Sequence, residues 1–127
     1  MIDWSKYPNF SEDEFRCKGT HCCGGKALMD EYFLALLQQL RTEVGFPFHI
    51  TSGYRCPDHN AAVSRTGRAG PHTTGQAADI AVNGPQRYKI LAEFAKYGFT
   101  GVGIANTFIH LDLLSPDEAP RPTSWTY

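Results

Sequence analysis

An apolar stripe is the clearest pattern in the chain. Its members recur at spacings of three and four: Leu28, Met29, Tyr32, Phe33, Leu36, Leu37, Leu40 and Val44. This spacing places the apolar side chains on one face of a helix, so it predicts an amphipathic helix over Leu28–Val44 that packs into the core. Gly45 provides a natural stop, and Pro47 prevents the helix from continuing.

Shorter apolar runs predict a small sheet. The predicted strands are Phe48–Thr51, Ala77–Val82, Val102–Ala105 and Phe108–Leu113. The last two strands are separated by a tight turn at Asn106 and should form an antiparallel hairpin. Prolines open two further predicted helices, Pro57–Ser64 and Pro85–Tyr97. This mixture predicts an α+β domain with a small antiparallel sheet and flanking helices, not a doubly wound sheet.

The two ends of the chain show little periodicity. Residues 1–27 predict a loop-rich segment with one helical turn at SEDEF, where Ser11 and Glu14 match a capping box. Residues 114–127, LSPDEAPRPTSWTY, are rich in proline and predict a surface tail. The chain has 127 residues, which fits a single domain over 1–127.

Composition and charge exclude several classes of protein. Hydrophobic residues make up 42% of the chain, enough for one core, so disorder is excluded. The net charge is −1 with no basic block, which argues against nucleic acid as a partner. No apolar run approaches the ~20 residues of a membrane helix, so we expect no membrane insertion. We expect a monomer.

The N-terminal residues, MIDWSKYPNFSEDEF, lack the basic start and apolar core of a secretory signal peptide. We therefore expect a protein that is made in the cytoplasm. If its substrate lies outside the cytoplasm, the protein must reach it after release or delivery by another factor.

Three of the four cysteines crowd into CKGTHCC, and the fourth is Cys56. They could be free thiols in a reducing compartment, or one disulfide could join the N-terminal loop to Cys56. A third alternative is a small metal site that uses Cys17, Cys22 or Cys23 together with His21. Metal sites usually show two ligand pairs at regular spacing, and only one cluster is present, so the spacing favours this alternative least.

The stretch FIHLDL places a histidine and an aspartate in an apolar strand. Because alternate side chains of a strand share a face, Ile109 and Leu111 should face the core while His110 and Asp112 face the other way. We expect that other face to be exposed. A surface pair on a half-buried sheet would give the same pattern, so this stretch alone does not establish a site.

The stretch HTTGQAAD adds a second histidine and a second carboxylate. His72 precedes a Thr-Thr-Gly turn, and Asp79 lies in the strand that follows. Gly75 lets the chain fold sharply, so both side chains can converge on one point. A buried carboxylate needs a cationic partner. For Asp79 this partner could be an arginine, but a metal ion is the alternative that His72 beside it favours.

Together, His72, Asp79 and His110 form a set of two histidines and one carboxylate. This set suits one Zn²⁺ at about 2.0–2.2 Å and leaves a fourth position for water, as catalytic zinc sites do. Zinc activates water and polarises a carbonyl, which is the chemistry that amide hydrolysis requires. The same donors hold Fe(II) in oxygenases, but there the histidine and carboxylate of the short motif usually lie two residues apart rather than seven.

Three stretches in order, TSGYRCPDHNAAV, HTTGQAADI and GVGIANTFIHLD, resemble the zinc D-Ala-D-Ala carboxypeptidases of the hedgehog/DD-peptidase fold. The resemblance covers about residues 10–113 and is closest to small phage and bacterial cell-wall peptidases and endolysins. It implies that His72, Asp79 and His110 bind zinc. It also implies hydrolysis of peptidoglycan stem peptides, either as a carboxypeptidase or as an endopeptidase.

The resemblance also assigns roles near the metal. Arg55 matches the arginine that binds substrate, and its planar fork suits a peptide carboxylate, although a structural pair with Asp58 or Asp79 is the alternative. Several relatives carry an acid three residues before the last zinc histidine, where this chain has Thr107, which cannot accept a proton. Asp112 is the remaining acid on that face, either as general base or as the partner that orients a zinc histidine.

Thr107 also motivates other classes of function. The domain could keep zinc and only grip cell-wall peptides, as a non-catalytic binding module. It could also be a structural module of a phage particle.

Overall fold

Helix α1 spans Glu31–Val44 in the computed structural model, which describes residues 1–127. It begins at Glu31 rather than at the predicted Leu28, because the Asp30 side chain accepts a hydrogen bond from the Phe33 backbone N–H at 2.9 Å and caps the first turn. Gly45 ends the helix in the left-handed conformation, as predicted. The buried side chains of α1 are Phe33, Leu34, Leu37 and Leu40.

Five strands form one sheet in the order β1-β2-β4-β3-β5. The strands are β1 (His49–Ser52), β2 (Ala77–Ala81), β3 (Gly101–Ile104), β4 (Phe108–Asp112) and β5 (Thr123–Thr126). The first four strands pair antiparallel, and β3 and β4 form the predicted hairpin. Strand β5 pairs with β3 in parallel, so the sheet is mixed rather than purely antiparallel. The α+β class is confirmed.

Strand β5 lies in the segment that was predicted to be a surface tail. Most residues of 114–127 are exposed or partly exposed, but Thr123–Thr126 bind the free edge of β3 and extend the sheet. The spacing of prolines in this segment carries no sign of a strand. The structure therefore corrects the prediction, because this part of the tail is integral to the sheet.

Two shorter helices flank the sheet. Helix α2 spans Pro57–Val63 and helix α3 spans Gly84–Glu93. The helix predicted to reach Tyr97 ends earlier, because the chain tightens into a 3₁₀ turn over Phe94–Tyr97. No helix of the structure is long and apolar enough to span a membrane.

The N-terminal segment is loop-rich, with 3₁₀ turns at Trp4–Lys6 and Glu12–Phe15 as its regular elements. It nevertheless supplies buried side chains to the core: Tyr7, Phe10, Phe15 and Cys17. The Tyr54 backbone N–H donates to the Phe15 carbonyl at 3.0 Å, which joins this segment to the chain between β1 and α2. Residues 1–27 are thus built into the domain.

The two faces of the sheet have different side chains. Ile80, Ile109 and Leu111 are fully buried on the face that belongs to the main core, as the alternation predicts. His110 and Asp112 point to the opposite face, but they are 2% and 0% exposed, so the expectation of an exposed face is wrong. This face is buried by side chains from parts of the chain that are remote in sequence from β4.

Candidate metal centre

The sheet register brings one histidine and one carboxylate side by side. Asp79 in the middle of β2 lies directly opposite His110 on β4. Because both residues point away from the main core, their side chains meet on the same face of the sheet.

His72 reaches the same point from outside the sheet. It lies in a 3₁₀ turn, Pro71–Thr74, which ends at Gly75 with φ of 76°. A Cβ at Gly75 would clash with the Leu28 carbonyl, so only glycine fits this close approach. The turn therefore delivers His72 to β2 and β4 in the place that the sequence predicts.

The ligand atoms of His72, Asp79 and His110 lie within 4.8 Å of one another. Asp79 Oδ1 lies 2.9 Å from His110 Nδ1 and 3.3 Å from His72 Nε2. All three residues are buried. Two imidazole nitrogens and one carboxylate oxygen that converge on one point are a donor set that fits zinc.

The two imidazoles hold the carboxylate in its charged form. Burial raises the pKa of Asp79, but the hydrogen bonds with His110 and His72 outweigh it, and the pKa lies well below its usual range. Burial also lowers the pKa of His110, but the hydrogen bonds with Asp112 and Asp79 more than offset this, so its pKa is raised.

Each histidine is oriented through its second ring nitrogen. His72 Nδ1 lies 2.8 Å from the Gly53 carbonyl oxygen, which can only accept, so His72 donates from Nδ1 and turns Nε2 toward Asp79. His110 Nε2 lies 2.8 Å from Asp112 Oδ2. A proton at that nitrogen leaves Nδ1 of His110 as the metal-facing atom. Such partners of ligand histidines fix the tautomer and the ring plane.

Asp112 is enclosed by cationic and N–H donors. Arg121 donates from Nε to Oδ1 at 2.9 Å and from its terminal nitrogen to Oδ2 at 2.8 Å, a bidentate pair. The Leu114 backbone N–H also donates to Oδ1 at 3.3 Å. Burial raises the pKa of Asp112, but the hydrogen bonds from His110 and Arg121 outweigh it and lower the pKa to about 2. Both oxygens are therefore already occupied by donors.

Two glycines of β3 make room for these contacts. Gly101 lies opposite Asp112 and Gly103 lies opposite His110, so a side chain at either glycine would lie on the same face as these two residues. A Cβ at Gly101 would overlap Asp112 Oδ1, and one at Gly103 would lie 2.6 Å from Nε1 of Trp125. The absence of side chains there lets the C-terminal segment fold onto the site.

Trp125 of β5 covers the candidate centre. Its ring centroid lies 5.1 Å from that of His110, and the Arg121 guanidinium lies 5.1 Å from the Trp125 ring centroid. His72 packs edge-on against His110 with a centroid distance of 5.1 Å. These contacts explain why the face that was predicted to be exposed is buried.

Arg55 lies beside the three residues rather than among them. Its guanidinium donates to Asn60 Oδ1 at 3.2 Å, and a second nitrogen lies 3.8 Å from Asp79 Oδ2. Asn60 is buried and donates to Thr66 Oγ1 at 2.8 Å, so it holds the arginine in place. The long contact with Asp79 leaves further N–H groups of the guanidinium for another acceptor.

The centre opens into a cleft of about 1080 Å³. One wall comes from residues 63–66 and 69–74, and the other from the C-terminal segment that includes Glu118 and Tyr127. His72, Asp79, His110 and Arg55 all line the cleft. Thr107 is exposed in the turn between β3 and β4 and does not line it. A cleft of this volume can hold a short peptide.

The sequence patterns do not predict roles for Arg121, Trp125 and Asn60. Two features of the sequence do indicate that something must approach the site where Arg121 and Trp125 lie. A carboxylate in an apolar strand, Asp112, needs a cationic partner, and the alternating glycines of GVG mark a face that something approaches closely. Neither signal says which residue arrives, because Arg121 and Trp125 reach the site on the C-terminal segment, whose strand the sequence pattern does not reveal.

A known protein family matches most of the chain. The model of the family described as Peptidase M15 matches residues 8–112. A search of curated proteins found no match to the chain. The matched region contains the three candidate ligands as well as Arg55 and Asp112. It ends before Arg121 and Trp125.

Replacing Arg121 tests the buried pair. Arg121→Met leaves Asp112 buried with one cationic partner fewer, so we expect the free energy of unfolding to fall by about 3 kcal/mol or more. The matched control is Arg68→Met, which breaks the exposed pair with Asp58 and should cost less than about 1 kcal/mol. Urea unfolding of both variants measures the difference; equal losses would contradict the structural role of Arg121.

Proposed function

The chain belongs to the peptidase M15 family of zinc D-Ala-D-Ala carboxypeptidases, and on that premise we propose that it is a zinc-dependent peptidase that hydrolyses peptidoglycan stem peptides. The observation that carries the proposal is the convergence of His72, Asp79 and His110 at the floor of an open cleft. We further propose an endolysin-like setting, in which the protein reaches the cell wall after release or delivery by another factor.

In this proposal one zinc ion is held by His72 Nε2, His110 Nδ1 and the Asp79 carboxylate. Zinc at that position supplies a Lewis acid that activates water and polarises the scissile carbonyl. The carboxylate of Asp79 offsets part of the metal charge. The hydrogen bonds that the imidazoles donate to the Gly53 carbonyl and to the Asp112 carboxylate keep both rings in the orientation for binding.

Arg55 is proposed to bind the substrate. It lines the cleft next to Asp79 and is held from behind by Asn60, so its planar fork has a fixed direction. Such a fork binds a carboxylate with two parallel hydrogen bonds. A peptide that ends in a free carboxylate would then be positioned with its last amide bond close to the metal, which favours carboxypeptidase action.

Asp112 is proposed to be a positioning residue rather than the general base. Its carboxylate accepts from His110, Arg121 and the Leu114 backbone N–H, and it is fully buried. A pKa of about 2 makes it a poor proton acceptor near neutral pH. Its contacts suit the second role considered for it, which is to hold the ring of His110.

Removal of His110 tests the metal site. We expect His110→Ala to bind one zinc ion fewer per chain and to lose hydrolysis of a peptide that ends in D-Ala-D-Ala, because two ligands cannot hold the ion. His49→Ala is the control, since His49 is exposed on β1 and does not line the cleft. Metal analysis and mass spectrometry of the products provide the measurements.

Two outcomes would contradict the peptidase proposal. Hydrolysis by metal-free His110→Ala protein would exclude the mechanism. Zinc-loaded wild-type protein that binds stem peptides without turnover would instead identify a non-catalytic binding module.

Asp112→Asn separates positioning from base catalysis. If Asp112 orients His110, zinc affinity should fall about 10- to 100-fold, and kcat should recover at saturating zinc. A general base would give the opposite result, with zinc affinity kept and kcat lower by about 10²- to 10⁴-fold at saturating zinc. Asp58→Asn is the control, because Asp58 is exposed and pairs with Arg68.

Arg55→Met tests carboxylate recognition with a pair of substrates. We expect KM to rise at least about tenfold for a peptide with a free C-terminal carboxylate, since a charge-assisted hydrogen bond contributes about 1.5–3 kcal/mol. For the same peptide with an amidated C-terminus, KM should change little between the wild type and the variant. An equal change for both substrates would contradict the role of Arg55.

A further inference from the structure

Four cysteine sulfurs meet at one point outside the cleft. Cys17, Cys22 and Cys23 come from the N-terminal loop, and Cys56 precedes helix α2. Their sulfur atoms lie within 4.8 Å of one another, and all four cysteines are free thiols. No other cysteine is present in the chain, so every thiol contributes to this cluster.

The spacing of the sulfurs fits a tetrahedral metal site. Cys17 Sγ lies 3.8 Å from Cys56 Sγ and 4.0 Å from Cys22 Sγ. A tetrahedron with zinc–sulfur bonds of about 2.3 Å has sulfur–sulfur edges of about 3.8 Å. A disulfide needs a sulfur–sulfur distance of about 2.05 Å and would use only two of the four thiols. The geometry suits one ion shared by four ligands better than one bond between two of them.

The surrounding backbone is arranged to receive thiolates. The Cys56 backbone N–H donates to Cys17 Sγ at 3.4 Å, and the His59 N–H donates to Cys56 Sγ at 3.5 Å. Gly19 packs so closely on Cys22 Sγ that a Cβ at this position would overlap the sulfur. Cys17 and Cys56 are buried, while Cys22 and Cys23 are partly exposed, which leaves a path for an ion to enter.

Side-chain hydrogen bonds hold the loop that carries three of the cysteines: Lys18 Nζ donates to the Thr51 carbonyl, and Arg16 donates to the Gly25 carbonyl. No backbone-to-backbone hydrogen bond involves residues 18–25, and the bond from Cys17 N–H to the Lys26 carbonyl at 2.8 Å only closes the base of the loop. A metal ion is an effective staple for such a segment, because the site forms only when the loop is folded.

We propose that Cys17, Cys22, Cys23 and Cys56 bind one structural zinc ion, separate from the ion at His72, Asp79 and His110. Four thiolates with no position left for water define a structural rather than a catalytic site. The chain then holds two zinc ions rather than the single ion expected from its sequence.

The position of this site explains what the ion would stabilise. Cys56 directly follows Arg55, and the Gly53 carbonyl that orients His72 lies three residues before it. Zinc at the cysteines joins this stretch to the N-terminal loop. The cysteine site therefore anchors the chain that carries the proposed substrate arginine, without contact with the substrate.

The test uses the full chain with the triple substitution His72→Ala, Asp79→Asn and His110→Ala, which removes the ligands of the other centre without leaving a lone charge at the buried Asp79 position. We expect one zinc ion per chain to remain. Replacement by Co²⁺ should give sulfur-to-cobalt charge-transfer bands and the intense visible bands of a tetrahedral thiolate site. Absence of bound zinc, or a cobalt spectrum without thiolate bands, would overturn the proposal. Because the catalytic centre is disabled, neither result depends on the proposed peptidase activity.

Two further variants in this background identify the ligands. Cys22→Ser should lose the zinc, whereas His21→Ala, in the same loop, should keep it. Loss of zinc from His21→Ala would replace the four-cysteine site with one that includes histidine, and retention by Cys22→Ser would also overturn the assignment.

Alkylation of the thiols gives an answer even if Cys22→Ser does not fold. In the unaltered chain loaded with zinc, all four thiols should be protected until a chelator is added and should react afterwards. Thiols that react fully before chelation, or a pair that reacts only after reduction, would contradict a zinc site.

Discussion

A buried carboxylate between two imidazoles is the interaction on which the rest of this structure depends. Asp79 is 8% exposed and lies in a five-stranded sheet, where a lone negative charge would be strongly unfavourable. His110 reaches it through strand register and His72 through a turn that only glycine can close. The pairing of β2 with β4 and the tight turn at Gly75 are thus requirements of the site as well as of the fold.

A second buried carboxylate extends this arrangement. Asp112 fixes His110 from the far side, and its own charge is compensated by Arg121 from the C-terminal segment. That segment can approach only because Gly101 and Gly103 lack side chains. The C-terminal segment therefore adds strand β5 to the edge of β3, compensates a buried charge with Arg121 and covers the candidate centre with Trp125. The cysteine cluster also joins remote parts of the chain, because it brings the N-terminal loop to Cys56, which follows Arg55.

Local patterns predicted most of the elements and the residues that converge. The stripe in α1, the hairpin of β3 and β4, and the sharp turn after His72 are short-range features with direct physical causes. The exposure of His110 and Asp112 was predicted wrongly, because the alternation within a strand does not say what covers each face. Strand β5 and the meeting of Cys56 with the N-terminal cysteines depend on long-range contacts, which leave no period or spacing in one sequence.

The central claim is that His72, Asp79 and His110 share one ion. Diffraction from crystals of the zinc-loaded protein, with data collected on both sides of the zinc absorption edge, tests it most directly. The account predicts an anomalous peak about 2.0–2.2 Å from His72 Nε2, His110 Nδ1 and an Asp79 carboxylate oxygen. Zinc-loaded crystals without a peak between these three side chains, or with the imidazoles turned away from Asp79, would contradict it.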